Sequence, residues 1–143
     1  MRISAKAEYA CVAMFELALT REDTQPAPIK SIADQHGISP RFLVQILLQL
    51  KAAGLVTSTR GASGGYHLAR SPERISLADI INAVESPTPL RPGLREASLS
   101  PAQQALRGIW QDIDNLEQTF LRELKLAEFV RRTQQDGVLT YQI

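Results

Sequence analysis

Apolar residues recur along the first 85 positions in short helical stripes, and serine, proline and glycine punctuate them at element boundaries. Ser4 precedes a stripe of Tyr9, Val12, Ala13, Leu17 and Ala18, which predicts a capped helix ending near Thr20. Arg21 to Pro28 carries two prolines and reads as a loop. Ser31 then reads as the cap of a second helix with Asp34 in its first turn, stopped at Gly37, where a positive φ closes it. After Gly37-Ile38, Ser39 caps a third helix with Pro40 at its first position, where a missing N–H costs nothing. Leu43, Ile46, Leu47 and Leu50 give that helix its inward face. Gly54 closes it, and Leu55 to Thr59 and Gly65 to Ala69 read as the two strands of a hairpin. Ser76-Leu77-Ala78-Asp79 opens a fourth helix with a capping-box pattern, carrying Leu77, Ile80, Ile81 and Val84.

The pattern changes at residue 86. Residues 86–100 hold Pro87, Pro89, Pro92 and Gly93 with little periodicity and read as a linker or an ordered loop. Ser100-Pro101-Ala102-Gln103 is another helix start, and Leu106, Ile109, Ile113, Leu116, Phe120, Leu124, Ala127 and Val130 follow at steps of 3 or 4. A helix over 101–132 would span about 45 Å, longer than so small a domain can cover, so its stripe needs a partner, simplest a second copy of itself. Trp110, beside Ile109, broadens that face. The alternative is a helix folded back on its own domain. The tail over 133–143 alternates weakly, as a frayed end or a short strand, and has no functional reading. The predicted fold class is mainly α: a winged helix-turn-helix domain over 1–85 with a small two-stranded β wing, the linker over 86–100, and a long C-terminal dimerisation helix.

Composition adds little and local charge adds more. Hydrophobic residues at 44% and charged residues at 22% are ordinary for a globular protein, and a net charge of +1 says nothing about a polyanion partner. From Gln35 to Pro72, however, there is no acidic residue, while Arg41, Lys51, Arg60 and Arg70 lie in that window. Attraction to phosphate decays over roughly 8 to 10 Å, so such a patch suffices. Arg60 stands at the tip of the glycine-rich hairpin Thr59-Arg60-Gly61-Ala62-Ser63-Gly64-Gly65-Tyr66-His67-Leu68, beside the helix pair. A guanidinium there reaches a DNA backbone or minor groove, and the exposed first turn of the third helix would meet base edges.

Other classes find less support. A phosphate-binding loop needs Gly-Lys-Ser/Thr opening a helix, which Gly61-Ala62-Ser63-Gly64-Gly65 lacks, and His36 and His67 have no nucleophile or metal pattern around them, so no enzyme is expected. A winged helix used for protein contact remains the alternative, against which the basic, polar wing and arginine tip weigh. The lone Cys11 excludes an intrachain disulfide and reads as a small buried residue. Apolar runs fall short of the roughly 20 residues of a membrane span, and a cytoplasmic protein is expected.

The opening Met1-Arg2-Ile3-Ser4-Ala5-Lys6-Ala7-Glu8-Tyr9-Ala10, the turn Gly37-Ile38-Ser39, the run Leu50 to Val56 and the wing from Arg60-Gly61 to Gly64-Gly65-Tyr66-His67-Leu68-Ala69 together resemble the Rrf2 family of bacterial regulators. The likeness continues through Ile75 to Ile81 and Val84-Glu85, then weakens to architecture, a linker followed by a long helix. It implies double-stranded DNA as partner, met by Ser39, Arg41, Phe42 and Gln45 in the major groove, Arg60 in the minor groove, and Ser4, Lys6 and Tyr9 at the backbone; Ser63 and Tyr66 complete the candidate set. It also implies a homodimer, through Leu106, Ile109, Trp110, Ile113, Leu116, Phe120 and Leu124. Two departures matter. Val44 replaces the acidic residue of IscR-like members, and valine touches a thymine methyl where a carboxylate accepts from cytosine. Iron-sulfur members carry three linker cysteines, but residues 86–100 hold none, so no cofactor and no metal site are expected. Arg91 and Arg95 there could receive an anionic effector, which is otherwise unassigned, as are the operator and the sign of regulation.

Overall fold

The computed structural model describes residues 3–20, 26–61, 64–85 and 98–141, with side-chain surroundings through residue 135. In chain order these form α1 (Ala5–Leu19), α2 (Ile29–His36), α3 (Pro40–Ala52), β1 (Val56–Thr59), β2 (Gly65–Leu68), a 3₁₀ turn (Pro72–Arg74), α4 (Leu77–Val84), α5 (Pro101–Glu123) and α6 (Leu126–Tyr141).

α1 is the axis of the core. The Ser4 hydroxyl accepts the Ala7 N–H at 3.0 Å and caps it. Its buried face is Ala7, Ala10, Ala13, Met14 and Leu17, and three alanines on that face let α2, α3, α4 and α6 approach it closely. Tyr9, Val12 and Ala18, placed inward from periodicity, are half-buried at its flanks. α3 buries Leu43, Ile46, Leu47 and Leu50 completely, and Gly37 (φ 63°) and Gly54 (φ 77°) supply the left-handed turns at its two ends. α2 differs from expectation at its start: Pro28, at φ −71° and ψ 139°, is the cap residue, and Ser31 lies exposed within the first turn. The extended backbone fixed by proline sets the start, and Ile32 and Ala33 then reach the core.

β1 and β2 pair antiparallel, Val56 with Leu68, Thr57 with His67, Ser58 with Tyr66 and Thr59 with Gly65. The far side of β2 is also taken. Ala27 exchanges two backbone hydrogen bonds with Tyr66, at 3.0 and 3.1 Å, so the end of the α1–α2 loop acts as a third, one-residue strand. That pairing explains the third wing glycine, since a Cβ on Gly65 would lie 2.2 Å from the Ala27 carbonyl oxygen. α4 starts in the expected capping box, with Ser76 and Asp79 bonded reciprocally at 3.0 Å.

The C-terminal third requires a correction. The single helix expected over 101–132 is two helices, because α5 ends at Glu123 and Leu124 turns to extended backbone at φ −79° and ψ 109°. No proline or glycine causes the break. The Leu124 carbonyl accepts the Leu77 N–H and the Leu126 N–H donates to the Ile75 carbonyl, both at 2.8 Å, so residues 124–126 pair with 75–77 instead of continuing the helix. α6 then folds back on α1, stacking Phe129 on Phe15 with ring centroids 5.1 Å apart. The expected frayed or strand-like tail is helical as far as Tyr141. The fold-back alternative holds for the C-terminal part of the stretch alone: Leu121, Leu126 and Phe129 return to the domain, whereas every residue from 101 to 116 is exposed.

Candidate nucleic-acid interface

α3 presents its outer side from a short, well-fixed turn. Gly37 closes α2, the Ile38 N–H donates to the Ala33 carbonyl at 3.0 Å, and Ile38 is buried beneath the turn. His36 Nε2, in the last turn of α2, lies 2.8 Å from Glu16 Oε1 and ties this corner to α1. Ser39 stands at the cap position of α3, yet its side chain makes no capping hydrogen bond, so its exposed hydroxyl is uncommitted to the helix. Ser39, Arg41 and Gln45 are exposed. So is Leu48, at 52%, one turn beyond Gln45. Sequence reading missed Leu48 among so many leucines, but its offsets of 7 from Arg41 and 3 from Gln45 place it on their face, away from Leu43, Ile46, Leu47 and Leu50.

Phe42 is only half-buried, and its ring meets Tyr9 edge to face at 6.0 Å and 84°. Part of each ring therefore packs α1 against α3, leaving an edge to the surface. Lys6 is half-buried and Ser4 exposed at the start of α1.

The wing places Arg60 in solvent between Thr59 and Gly61 (φ 111°). The Gly64 N–H donates to the Gly61 carbonyl at 2.9 Å, and a Cβ on Gly64 would lie 2.3 Å from the Thr59 carbonyl oxygen, so the hairpin closes tightly behind the arginine. Lys51 Nζ donates to Ser58 Oγ at 2.7 Å and links α3 to β1. The Arg70 guanidinium lies over Gly54. Arg41, Lys51, Arg60 and Arg70 are all exposed. Two assigned contacts need comment. Tyr66 is a correction: at 9% exposure it belongs to the core cluster, with its backbone N–H and carbonyl both bonded to Ala27, because its side of β2 faces inward. Ser63 lies outside the described residues.

On α5, Leu106, Ile109, Trp110, Ile113, Leu116 and Phe120 form the exposed apolar stripe, from 37% at Leu106 to 71% at Leu116. Leu124, placed on it from sequence, is instead half-buried at the break, where its backbone joins the head. That is a second correction to the assigned surface.

A helix pair offering a polar, basic outer face beside an arginine-tipped two-stranded wing defines a winged helix-turn-helix transcriptional regulator rather than an enzyme. Residues 3–132 match the family model Rrf2, described as an iron-dependent transcriptional regulator, and the chain belongs to that family. The transcriptional regulator IscR of Xenorhabdus nematophila is 35% identical over 132 residues, 92% of this chain and 80% of that protein. An HTH-type transcriptional regulator of Mycobacterium tuberculosis is 39% identical over 130 residues, 90% of this chain and 80% of that protein. Among solved structures, T. potens IscR superposes with a TM-score of 0.78 at 32% identity, covering 95% of this chain and 90% of that one. CymR of B. subtilis, titled a global cysteine regulator, gives 0.77 at 34%, covering 92% and 98%.

The donor set does not fit the iron the family description invokes. Cys11 is the sole cysteine, and its thiol is pushed up to about 11 by burial and then by the charges of Glu8 and Glu85, which keeps it protonated rather than a thiolate ligand. Among the described residues no three His, Cys, Asp or Glu side chains stand close enough to hold a metal ion. Residues 86–97, outside the described residues, contain neither cysteine nor histidine. Among the described residues no helix is long and apolar enough to cross a membrane.

Proposed function

We propose that the protein is a homodimeric, cytoplasmic regulator that binds a pseudo-palindromic operator, with α3 in the major groove and Arg60 in the adjacent minor groove. The observation that carries this reading is the joint exposure of Ser39, Arg41, Gln45 and Arg60 on one acid-free stretch of chain. Arg41 and Gln45 offer donors to base edges and phosphates, while Val44 and Leu48 offer only apolar contact and favour thymine methyl groups. Arg60, on a hairpin closed by glycines, suits a narrow minor groove where negative potential is strongest. Ser4, Lys6 and Tyr9 would meet the phosphate backbone and fix register without reading sequence.

The second copy is argued from the spacing on α5. Leu106, Ile109, Ile113, Leu116 and Phe120 follow at steps of 3, 4, 3 and 4, the a/d repeat of paired helices, and the stripe is exposed throughout. With this donor set, the signal does not enter through a linker iron-sulfur cluster. Arg91 and Arg95, outside the described residues, are the cationic candidates for an anionic effector.

Selection of bound sites from a random duplex library tests the reading. A two-fold symmetric consensus, footprinted by a dimer, is the expected result; equal, weak retention of all sequences refutes operator binding and favours a protein-contact role for the winged helix.

A further inference from the structure

We infer that Leu48, on the outer ridge of α3, reads the 5-methyl group of one thymine in each half-site, so that the operator is recognised in part by a methyl group that no hydrogen bond reports. The inference rests on the operator reading above and deepens it by assigning one base contact to one residue.

The core gives Leu48 no reason to be apolar. Among the described residues, the large apolar side chains left exposed outside α5 are Ile3, Leu19 and Leu48. Ile3 and Leu19 lie at the two ends of α1, whereas Leu48 lies inside α3, a full turn from its end. At about 100° per residue, Leu48 stands about 20° from Arg41 and about 60° from Gln45 around the helix axis, roughly opposite the buried set Leu43, Ile46, Leu47 and Leu50. Arg41, Gln45 and Leu48 therefore form one outward ridge, about 10 Å long.

The surroundings of that ridge are cationic. Arg41 and Lys51 are exposed on the same helix, and no acidic residue occurs from Gln35 to Pro72. Lys51 Nζ is bonded to Ser58 Oγ at 2.7 Å, which draws its ammonium to the wing. An occupant that suits both the charge and the leucine is anionic overall and presents an apolar group at its face. The major groove of DNA has both properties, because the thymine methyl is the apolar feature on edges that otherwise carry donors and acceptors.

Spacing fits the same occupant. A ridge of about 10 Å covers about three base-pair steps of about 3.4 Å. Gln45 offers an amide that matches adenine, and Leu48, about 4.5 Å further along the helix, falls on the neighbouring pair. Leucine has no hydrogen-bonding atom, so at that pair it distinguishes thymine from cytosine by the methyl alone. Val44, half-buried and one turn before Leu48, widens the apolar strip from its flank.

Uracil removes this methyl and leaves the donors and acceptors of thymine in place. The operator selected from the random library is prepared with uracil for each thymine in turn, on either strand and in both half-sites together, and titrated with the native protein and with Leu48→Ala. Burying one methyl group is worth about fourfold in affinity, so at one position the native protein should lose about tenfold over the two half-sites. At that position Leu48→Ala, whose unfolding midpoint and dimer mass should match the native protein's, should bind the thymine and uracil duplexes within about twofold of each other. A second arm needs the native protein alone: with cytosine at that position, 5-methylcytosine should bind about tenfold more tightly than unmodified cytosine. A native protein indifferent to uracil at every thymine, or to the methyl on cytosine, overturns the inference. A loss of the same size in Leu48→Ala also overturns it and gives the methyl to another residue. In each of these cases a selected operator still stands, so the reading above survives; selection of no operator refutes both and leaves Leu48 on a protein-contact surface.

Discussion

Glu85 closes over the start of α1, its Oε1 accepting the Ser4 hydroxyl at 2.6 Å and the Ser4 N–H at 3.4 Å. The same hydroxyl accepts the Ala7 N–H, so Ser4 both caps α1 and ties it to the end of α4 across 81 residues of sequence. A phosphate reaching Ser4 meets a hydroxyl already donated to a carboxylate. Ser4→Ala removes cap and tie together and should cost about 1 to 2 kcal/mol of stability, read as a lower urea midpoint at unchanged slope.

Arg60→Ala should weaken operator binding by about 1 to 3 kcal/mol, and Arg60→Lys should recover only part of it, because an ammonium is more strongly hydrated than a guanidinium in a narrow groove. Titration against operator and scrambled duplexes at two salt concentrations checks this. Equal losses on both duplexes would reduce Arg60 to one phosphate contact among several.

Lysine at both Ile113 and Leu116 places two cations on the exposed stripe of α5, far from the core of the head. The double variant should sediment as a folded monomer and bind operator at least tenfold more weakly. Unchanged mass would remove α5 as the interface.

Burial, then Glu8 and Glu85, raise the Cys11 thiol from 9.0 to about 11. For an acid raised on folding, the unfolded chain loses its proton first, so the stabilising contribution is complete below pH 9 and is lost as pH rises toward 11. Unfolding midpoints should therefore fall across pH 9 to 11, and Cys11→Ala should show a shallower fall. A slope unchanged by the substitution would contradict it. At pH 8 the native thiol should also react far more slowly with a disulfide reagent than the urea-unfolded thiol.

Protein purified without air should be colourless and should lack stoichiometric iron and acid-labile sulfide. Absorption between about 300 and 450 nm with matching iron and sulfide would overturn this and point to Cys11 with ligands from both subunits.

What was legible in the sequence was local chemistry. Gly37 and Gly54, the Ser76–Asp79 and Ser100–Gln103 boxes and the fully buried set Leu43, Ile46, Leu47 and Leu50 each follow from rules acting within a turn or two of helix. What was not legible depended on partners distant in sequence. Leu124 sits in a helical pattern with no breaker, and only its bond to Leu77, 47 positions earlier, makes it a turn. Tyr66 reads as an exposed wing residue until Ala27 pairs with its backbone and the ring is seen to face inward. On the candidate interface, Arg41, Gln45 and Arg60 are exposed as expected, and Leu48 escaped notice because composition alone does not say which leucine faces out.

The DNA-reading head is not a contiguous piece of chain. Ile75 and Ala78 are covered together with Leu121 and Leu126, residues that return from beyond the linker, and Phe129 stacks on α1. Modular exchange at the linker, pairing the first 85 residues with another regulator's C-terminal half, would therefore join two incomplete cores. A transplantable head needs both segments, so the natural seams for a chimera lie on the solvent-exposed part of α5, where 101 to 116 contributes nothing to the head's interior.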